Sequence, residues 1–212
     1  MKRFLGIVLM IVGVVSVACS VALYISNQNE DKQAQELTEY YLPQLIETIR
    51  NSTNSESSVQ DNVSDGVTDG SQNSNGPVNN NDMPVFYIDE QGFVGYLSIP
   101  SLNLELPIMS ETDYDKLQMA PCRFYGSAKT DNLIVGAHNY SKHFGEIGNL
   151  NAKDEVYVTD MDGVVYKYSV VSIDIIQPYA VDILTNEEYD LVLFTCTYSG
   201  KNRIAVGCDR IQ

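Results

Sequence analysis

Three textures of hydrophobic and polar positions follow one another along the chain. Behind Lys2 and Arg3, the run from Phe4 to Ile25 carries no formal charge. Such a run of about 22 residues is long enough to cross a ~30 Å hydrocarbon core as a helix. Gly6, Gly13, Ser16 and Ser20 interrupt it, as membrane helices tolerate. The flank beyond it, Asn27 to Lys32, has no net positive charge, so the positive-inside rule places the N-terminus in the cytoplasm and the remainder outside. Ser16-Val-Ala-Cys19 hints at a lipoprotein cleavage site, and a cleaved signal peptide shares the basic start. Signal peptides have a shorter apolar core, however, and the length favours an uncleaved anchor over residues 1–26.

The second texture covers residues 27–82. From Glu30 to Arg50, Leu37, Tyr40, Tyr41, Leu45 and Ile49 recur at three- and four-residue steps, which predicts a helix kinked or split at Pro43. Its apolar stripe could pack on a following domain, but a juxtamembrane stalk is the simpler reading. Asn51 to Asp82 is rich in Asn, Ser, Asp and Gly, lacks Lys and Arg, and has only scattered Val. It buries too little to offset its ordering entropy and reads as a solvated linker.

From Met83 to Gln212 the pattern is that of short strands, in a domain large enough for its own core. The predicted strands are Phe93–Ile99, Leu104–Met109, Leu133–His138, Glu155–Thr159, Val164–Gln177, Leu191–Cys196 and Arg203–Arg210. Asp162-Gly163 is a hairpin-turn signal before the longest of them. Short helices are expected near Asp113–Met119 and Asn186–Tyr189. Many strands with few helices predict a mostly β fold, a closed or nearly closed barrel.

Charge changes this picture little. The chain has 28 acidic and 13 basic side chains, a net charge of −15, which argues against nucleic acid as a partner. Cysteine matters more. Cys19, Cys122, Cys196 and Cys208 include no Cys-x-x-Cys pair, and only His138 and His143 could join them. That is too sparse for a zinc site or a disulfide framework, so no metal or cofactor is expected and at least one thiol needs another role.

The candidate chemistry sits at strand ends, where rigid elements present side chains. Leu133 to His138 is an apolar strand ending in histidine, Leu191 to Cys196 one ending in cysteine, and Arg203 opens the last strand. A hairpin around Thr197–Asn202 would put Cys196 and Arg203 at its mouth together. His138 joins them if its strand runs parallel to the cysteine strand. A thiol activated by cationic neighbours, an imidazole acid/base and a fixed guanidinium for a developing oxyanion make an acyl-transfer site. The competing reading of each residue alone is plainer: buried packing for the thiol, a strand-end His, a solvated Arg.

Val192-Leu-Phe-Thr-Cys196, with Arg203 after a short loop and His138 earlier in the chain, resembles the sortase family. Its Thr-Leu-x-Thr-Cys motif appears here with Val in the first place. Gly95-Tyr-Leu-Ser-Ile-Pro100 looks like the opening strand of sortase domains, with Leu106-Pro-Ile108 in the next, and Gly136-Ala-His138 departs mildly from a Gly-His pair. The resemblance covers about residues 90–212. It implies an eight-stranded β-barrel and a cysteine transpeptidase of Gram-positive cell surfaces, held by an N-terminal membrane helix. Cys196 would attack the carbonyl after Thr in a Leu-Pro-x-Thr-Gly-like sorting signal of a surface protein. The acyl group would pass to an amine of a peptidoglycan precursor or a pilin lysine. His138 would be the acid/base, Arg203 the oxyanion or substrate clamp, and Thr195 a substrate contact. Arg203 is preferred to Arg210, which lies at the far end of its strand. With no lid motif before the barrel and no second apolar segment after it, the resemblance points to a single-anchor class of the B or D kind. His143 reads as structural or exposed, and Cys122 and Cys208 as packing thiols that could pair.

Two rivals remain. An L,D-transpeptidase would show Ser-x-Gly-Cys at the nucleophile, which Phe194-Thr-Cys196 does not fit. A non-catalytic adhesion domain would carry the same anchor and linker and differ only in site geometry. An acidic loop such as Asn151–Glu155 could hold calcium, but a solvated loop is the simpler reading.

Overall fold

The computed structural model describes residues 2–56, 81–178 and 188–211. It opens with one long helix, α1 (Lys2–Glu56), whose first half is apolar and exposed. Among the described helices it alone is long and apolar enough to cross a membrane. The strands that follow are β1 (Phe86–Ile88), β2 (Gln91–Ile99), β3 (Leu104–Met109), β4 (Cys122–Tyr125), β5 (Leu133–Gly136), β6 (Glu155–Asp160), β7 (Val165–Ile176), β8 (Leu191–Cys196) and β9 (Arg203–Ile211). A short helix α2 (Tyr114–Met119) joins β3 to β4, with the Asp113 carboxylate accepting from the Lys116 amide at its start.

The strands pair in the order β1-β2-β3-β4-β5-β8-β9-β7-β6, and β6 pairs again with β2. Eight strands thus close into a barrel and β1 folds back on β2 outside the ring. Two contacts are parallel, β3 with β4 and β5 with β8; the rest are antiparallel. Alternate residues point inward, as a half-buried strand requires. Leu133 and Val135, Leu191 and Leu193, and Val206 and Cys208 all join the barrel core. Closure falls at Gly95, where β2 bulges and faces both β3 and β6. Gly95 has φ 143°, and a Cβ there would lie 1.9 Å from the Thr159 carbonyl oxygen, so only glycine fits. At the β6–β7 turn, Gly163 supplies a positive φ of 79°. The buried Asp160 carboxylate accepts from the amides of Asp162 and Val164 and from the Tyr166 hydroxyl, which fixes the hairpin.

Two strands were missed by the pattern of the sequence: β1 is exposed and β4 has no alternation, with Cys122 buried and Phe124 and Tyr125 open. The helix expected at 186–189 falls partly outside the described residues, and Glu188–Asp190 form bends.

The stalk expectation also changes. α1 runs through Pro43 unsplit and lies against the barrel instead of standing free. Tyr41, Leu45 and Ile49, four residues apart, bury themselves among Phe93, Met109, Ala120, Cys122 and Met161. Pro43 faces solvent between these anchors, so packing on both sides offsets the single backbone bond it removes. Helix also continues to Glu56, past the expected linker boundary at Asn51; residues 57–80 of the expected linker lie outside the described residues.

Leu45 is fully buried in this contact. Leu45→Ala is expected to weaken helix docking by about 2–5 kcal/mol. Hydrogen exchange should then quicken at amides of residues 34–53 while the barrel strands keep their protection.

Candidate active site

The site is built by strand register. β5 and β8 run parallel with Gly136 opposite Phe194, and the Ala137 amide donates to the Phe194 carbonyl at 3.1 Å. The next positions are His138 and Cys196, on neighbouring strand ends that lie roughly 4.8 Å apart. β8 and β9 pair antiparallel with Cys196 directly opposite Arg203. Period two then settles direction. Leu191, Leu193 and Thr195 point inward, so Val192, Phe194 and Cys196 point outward. Val206 and Cys208 are inward, so Arg203, Ala205 and Gly207 are outward. Val135 and Ala137 belong to the core, and His138 follows Ala137 two residues past the end of β5, level with the Cys196 end of β8.

Thr195 is 1% exposed, and its hydroxyl donates to the Ala137 carbonyl at 2.8 Å. It fastens the two strands one residue before both His138 and Cys196. Thr195, expected as a substrate contact, thus has an inward-pointing hydroxyl bonded into the frame. Gly136 has a related use. A Cβ there would meet the Phe194 ring at 2.6 Å, so the glycine lets that ring lie across β5. Phe124 meets Phe194 edge-on at 5.4 Å.

Cys196 is partly exposed. Its turn to Arg203 closes on itself: Thr197 N–H donates to the Asn202 carbonyl at 3.0 Å, Gly200 N–H to the Thr197 carbonyl at 2.8 Å, and Gly200 takes a φ of 69°. The Arg203 guanidinium donates to the carbonyls of Gly200 and Asn202 at 3.3 and 3.2 Å. Arg210 is seven residues on, an odd step that turns it to the opposite face. There it pairs with Asp131 at 2.7 Å, donates to the Ala128 carbonyl and lies over the Tyr166 and Tyr168 rings.

His138 stacks on Tyr140 with ring centres 4.8 Å apart and planes at 17°, and the Tyr114 ring meets it edge-on at 6.0 Å. Its Nε2 is shielded from solvent and has no hydrogen-bond partner among the described residues. Burial lowers its proton affinity, and the Glu30 carboxylate on α1 acts in the opposite sense. His143, 1% exposed, lies beyond Tyr140. Burial and the neighbouring His138 push its pKa down to about 4, against a smaller upward pull from the Met119 backbone. Cys122 and Cys208 are buried free thiols pushed up to about 12 by burial, Cys122 under α1 and Cys208 in the barrel core. They do not pair. In the Asn151–Glu155 loop, the Asp154 carboxylate accepts from the Asn151 amide.

On the outer face below Cys196 lies a cavity of about 250 Å³ walled by Val192, Ala205, Gly207, Tyr189 and Ile176. It follows the same outward row of β8 and β9. A larger cavity, about 730 Å³, lies between α1 and the β2–β3 turn, and none of Cys196, His138 or Arg203 lines it.

A model of the sortase domain matches residues 97–211, more than half of the chain, which belongs to the sortase family. Sortase A of Bacillus anthracis is 29% identical over 115 residues, covering 51% of this chain and 54% of that protein. The chain thus spans about half the length of that curated relative. A sortase A lid mutant from Corynebacterium diphtheriae has a similar structure, with a TM-score of 0.53 and 26% identity over 58% of this chain and 72% of that one. Sortase C1 from Streptococcus agalactiae gives 0.52 and 27% over 59% and 71%. Relatives of the A and C kinds match almost equally, so the likeness does not single out a subclass.

Because His143 binds its proton more weakly folded than unfolded, the unfolded chain takes up more protons between about pH 6.5 and 4. Its contribution to stability is complete above that window and is lost as pH falls through it. On the order of 3 kcal/mol is involved. Denaturant titrations across the window should show a shallower loss for His143→Asn than for wild type.

Proposed function

We propose that this chain is a membrane-anchored cysteine transpeptidase that cleaves a Leu-Pro-x-Thr-Gly-like sorting signal and passes the surface protein to an amine. The observation that carries the reading is the register that sets Cys196 opposite Arg203 and brings His138, two residues past Gly136, to the same strand ends. A packing thiol would point inward, as Cys208 does. A non-catalytic adhesion domain has no need for a partly exposed thiol beside an imidazole whose Nε2 lacks a partner.

In the first half-reaction the Cys196 thiolate attacks the carbonyl carbon of the Thr-Gly bond. The carbon–nitrogen bond breaks, the His138 imidazolium gives its proton to the leaving amine, and a thioester remains on Cys196. In the second, an amine attacks the thioester carbonyl, neutral His138 takes a proton from it, and the Cys196 thiolate leaves. Each tetrahedral intermediate carries an oxyanion. Arg203, directly across from Cys196, is the cation for it once its guanidinium releases the loop carbonyls. The apolar side of the cavity, Val192, Ala205 and Tyr189, suits the Leu and Pro of a sorting signal, while Asp174 and Glu188 line it as well. Thr195 supports the frame through Ala137.

The exposed apolar half of α1 supports a single-pass anchor with the barrel outside the cytoplasm of a Gram-positive cell. The acceptor amine is a peptidoglycan precursor or a pilin lysine, and a single-anchor class of the B or D kind fits the chain. No nucleic acid is involved, given a net charge of −15.

The reading is tested with quenched fluorogenic sorting-signal peptides plus an amine acceptor. Cys196→Ala should abolish cleavage and transfer. His138→Gln should lower kcat by about 10²–10⁴-fold. Arg203→Ala should lower it by about 10²–10³-fold, with Arg203→Lys recovering only part. Turnover that survives Cys196→Ala would sink the mechanism.

A further inference from the structure

We propose that Glu30 and Asp31, on the helix leading out of the apolar segment, are positioning residues for His138, so that the site is complete only while α1 is docked. The inference rests on the acyl-transfer reading above.

The contact spans 110 residues of sequence. Both oxygens of the Asp31 carboxylate are used: Oδ1 accepts from the Ser141 amide at 2.9 Å and Oδ2 from the Ser141 hydroxyl at 3.0 Å. Three residues further along α1, Ala34 is fully buried, a small side chain that lets the helix approach closely. Burial first, and then the Glu30 carboxylate, push the Tyr140 hydroxyl up to about 12, and the ring of Tyr140 stacks on His138. Asp31 therefore pins the residue after Tyr140, whose ring stacks on the imidazole, and Glu30 precedes Asp31 on the same helix.

The chemistry gives this clamp a purpose. Acting on His138 are Glu30 from α1, Tyr114 from α2, and Tyr140 and His143 from its own loop, while Cys196 and Arg203 stand opposite each other on the neighbouring strand ends. Asp31 stands behind Tyr140. Amine expulsion needs His138 protonated, yet burial works against charge on its ring. Glu30 is the carboxylate that opposes it. Because Glu30 is exposed, water and salt screen it, and the expected effect is that of a surface charge pair. Glu30 is also only five residues beyond Ile25, roughly 8 Å of helix. Docking would then hold the catalytic loop close to the membrane surface, where both peptide and amine must be presented.

The test uses the full chain in nanodiscs. Glu30→Gln should lower kcat/KM at neutral pH by about two- to fivefold, through kcat and with KM little changed. Its alkaline limb should move to lower pH, and Glu30→Asp should restore part of the loss. Asp31→Asn should speed hydrogen exchange at residues 139–144. Because the chain has only two histidines, NMR titration of their rings resolves His138 separately and does not depend on turnover. A His138 midpoint that moves down in Glu30→Gln supports the proposal even if no sorting signal is cleaved, in which case the functional reading alone fails. An unmoved midpoint, or a Glu30→Gln/Asp31→Asn double variant more active than wild type at every pH, overturns it; the latter would make the helix a blocking segment.

Discussion

Parallel pairing of β5 with β8 is the constraint on which the chemistry of this chain depends. Parallel neighbours cannot be joined by a tight turn, so His138 and Cys196 come from stretches far apart in sequence and meet only when the barrel closes. The Thr195 hydroxyl, bonded to the Ala137 carbonyl, fixes that register one residue short of His138 and Cys196. A slip by one residue would turn every outward side chain of the strand inward, thiol included. The antiparallel partner, β9, adds Arg203 through a self-bonded turn of six residues. The site is thus a property of strand register more than of any loop.

The second organising contact is between α1 and the barrel. Tyr41, Leu45 and Ile49 seat the helix over Phe93 and Cys122, and Ala34 and Asp31 bring its membrane-proximal end to the His138 loop. One continuous helix therefore links an apolar N-terminal segment to the neighbourhood of the candidate site. The acidity of the chain gains a more local meaning in this light. Most carboxylates are solvated, but Asp160 organises a turn, Asp131 holds Arg210, and Glu30 and Asp31 face the site loop.

Much of the barrel was legible in the sequence because its strands alternate cleanly or are bounded by turn residues. Leu104–Met109 and Leu191–Cys196 fall where their apolar runs predict them, and Asp162-Gly163 turns the longest hairpin. β1 and β4 were hidden because they expose aromatic side chains and lack period two. Arg203 and Arg210 could be told apart by parity alone, since an odd separation along one strand puts them on opposite faces. The inward direction of Thr195 was legible by the same rule, from Leu191 and Leu193, but motif likeness pointed to substrate instead. Docking of α1 was legible only as one of two options. The stripe of Leu37, Tyr41, Leu45 and Ile49 shows that a face is apolar, and only tertiary structure says what covers it. Glu30 and Asp31 carried no signal at all, because a carboxylate on an exposed helix looks solvated until its partner 110 residues away is known.

The central claim is that Cys196 is the nucleophile of an acyl-transfer site assembled by strand register. Intact-mass spectrometry after incubation with a Leu-Pro-x-Thr-Gly peptide, with no amine acceptor added, tests it most directly. The expected product is an adduct of the acyl fragment that maps to Cys196, is discharged by hydroxylamine and accumulates more slowly in His138→Gln. An adduct on Cys19, Cys122 or Cys208, or peptide cleavage with no acyl-enzyme and no dependence on Cys196, would contradict it.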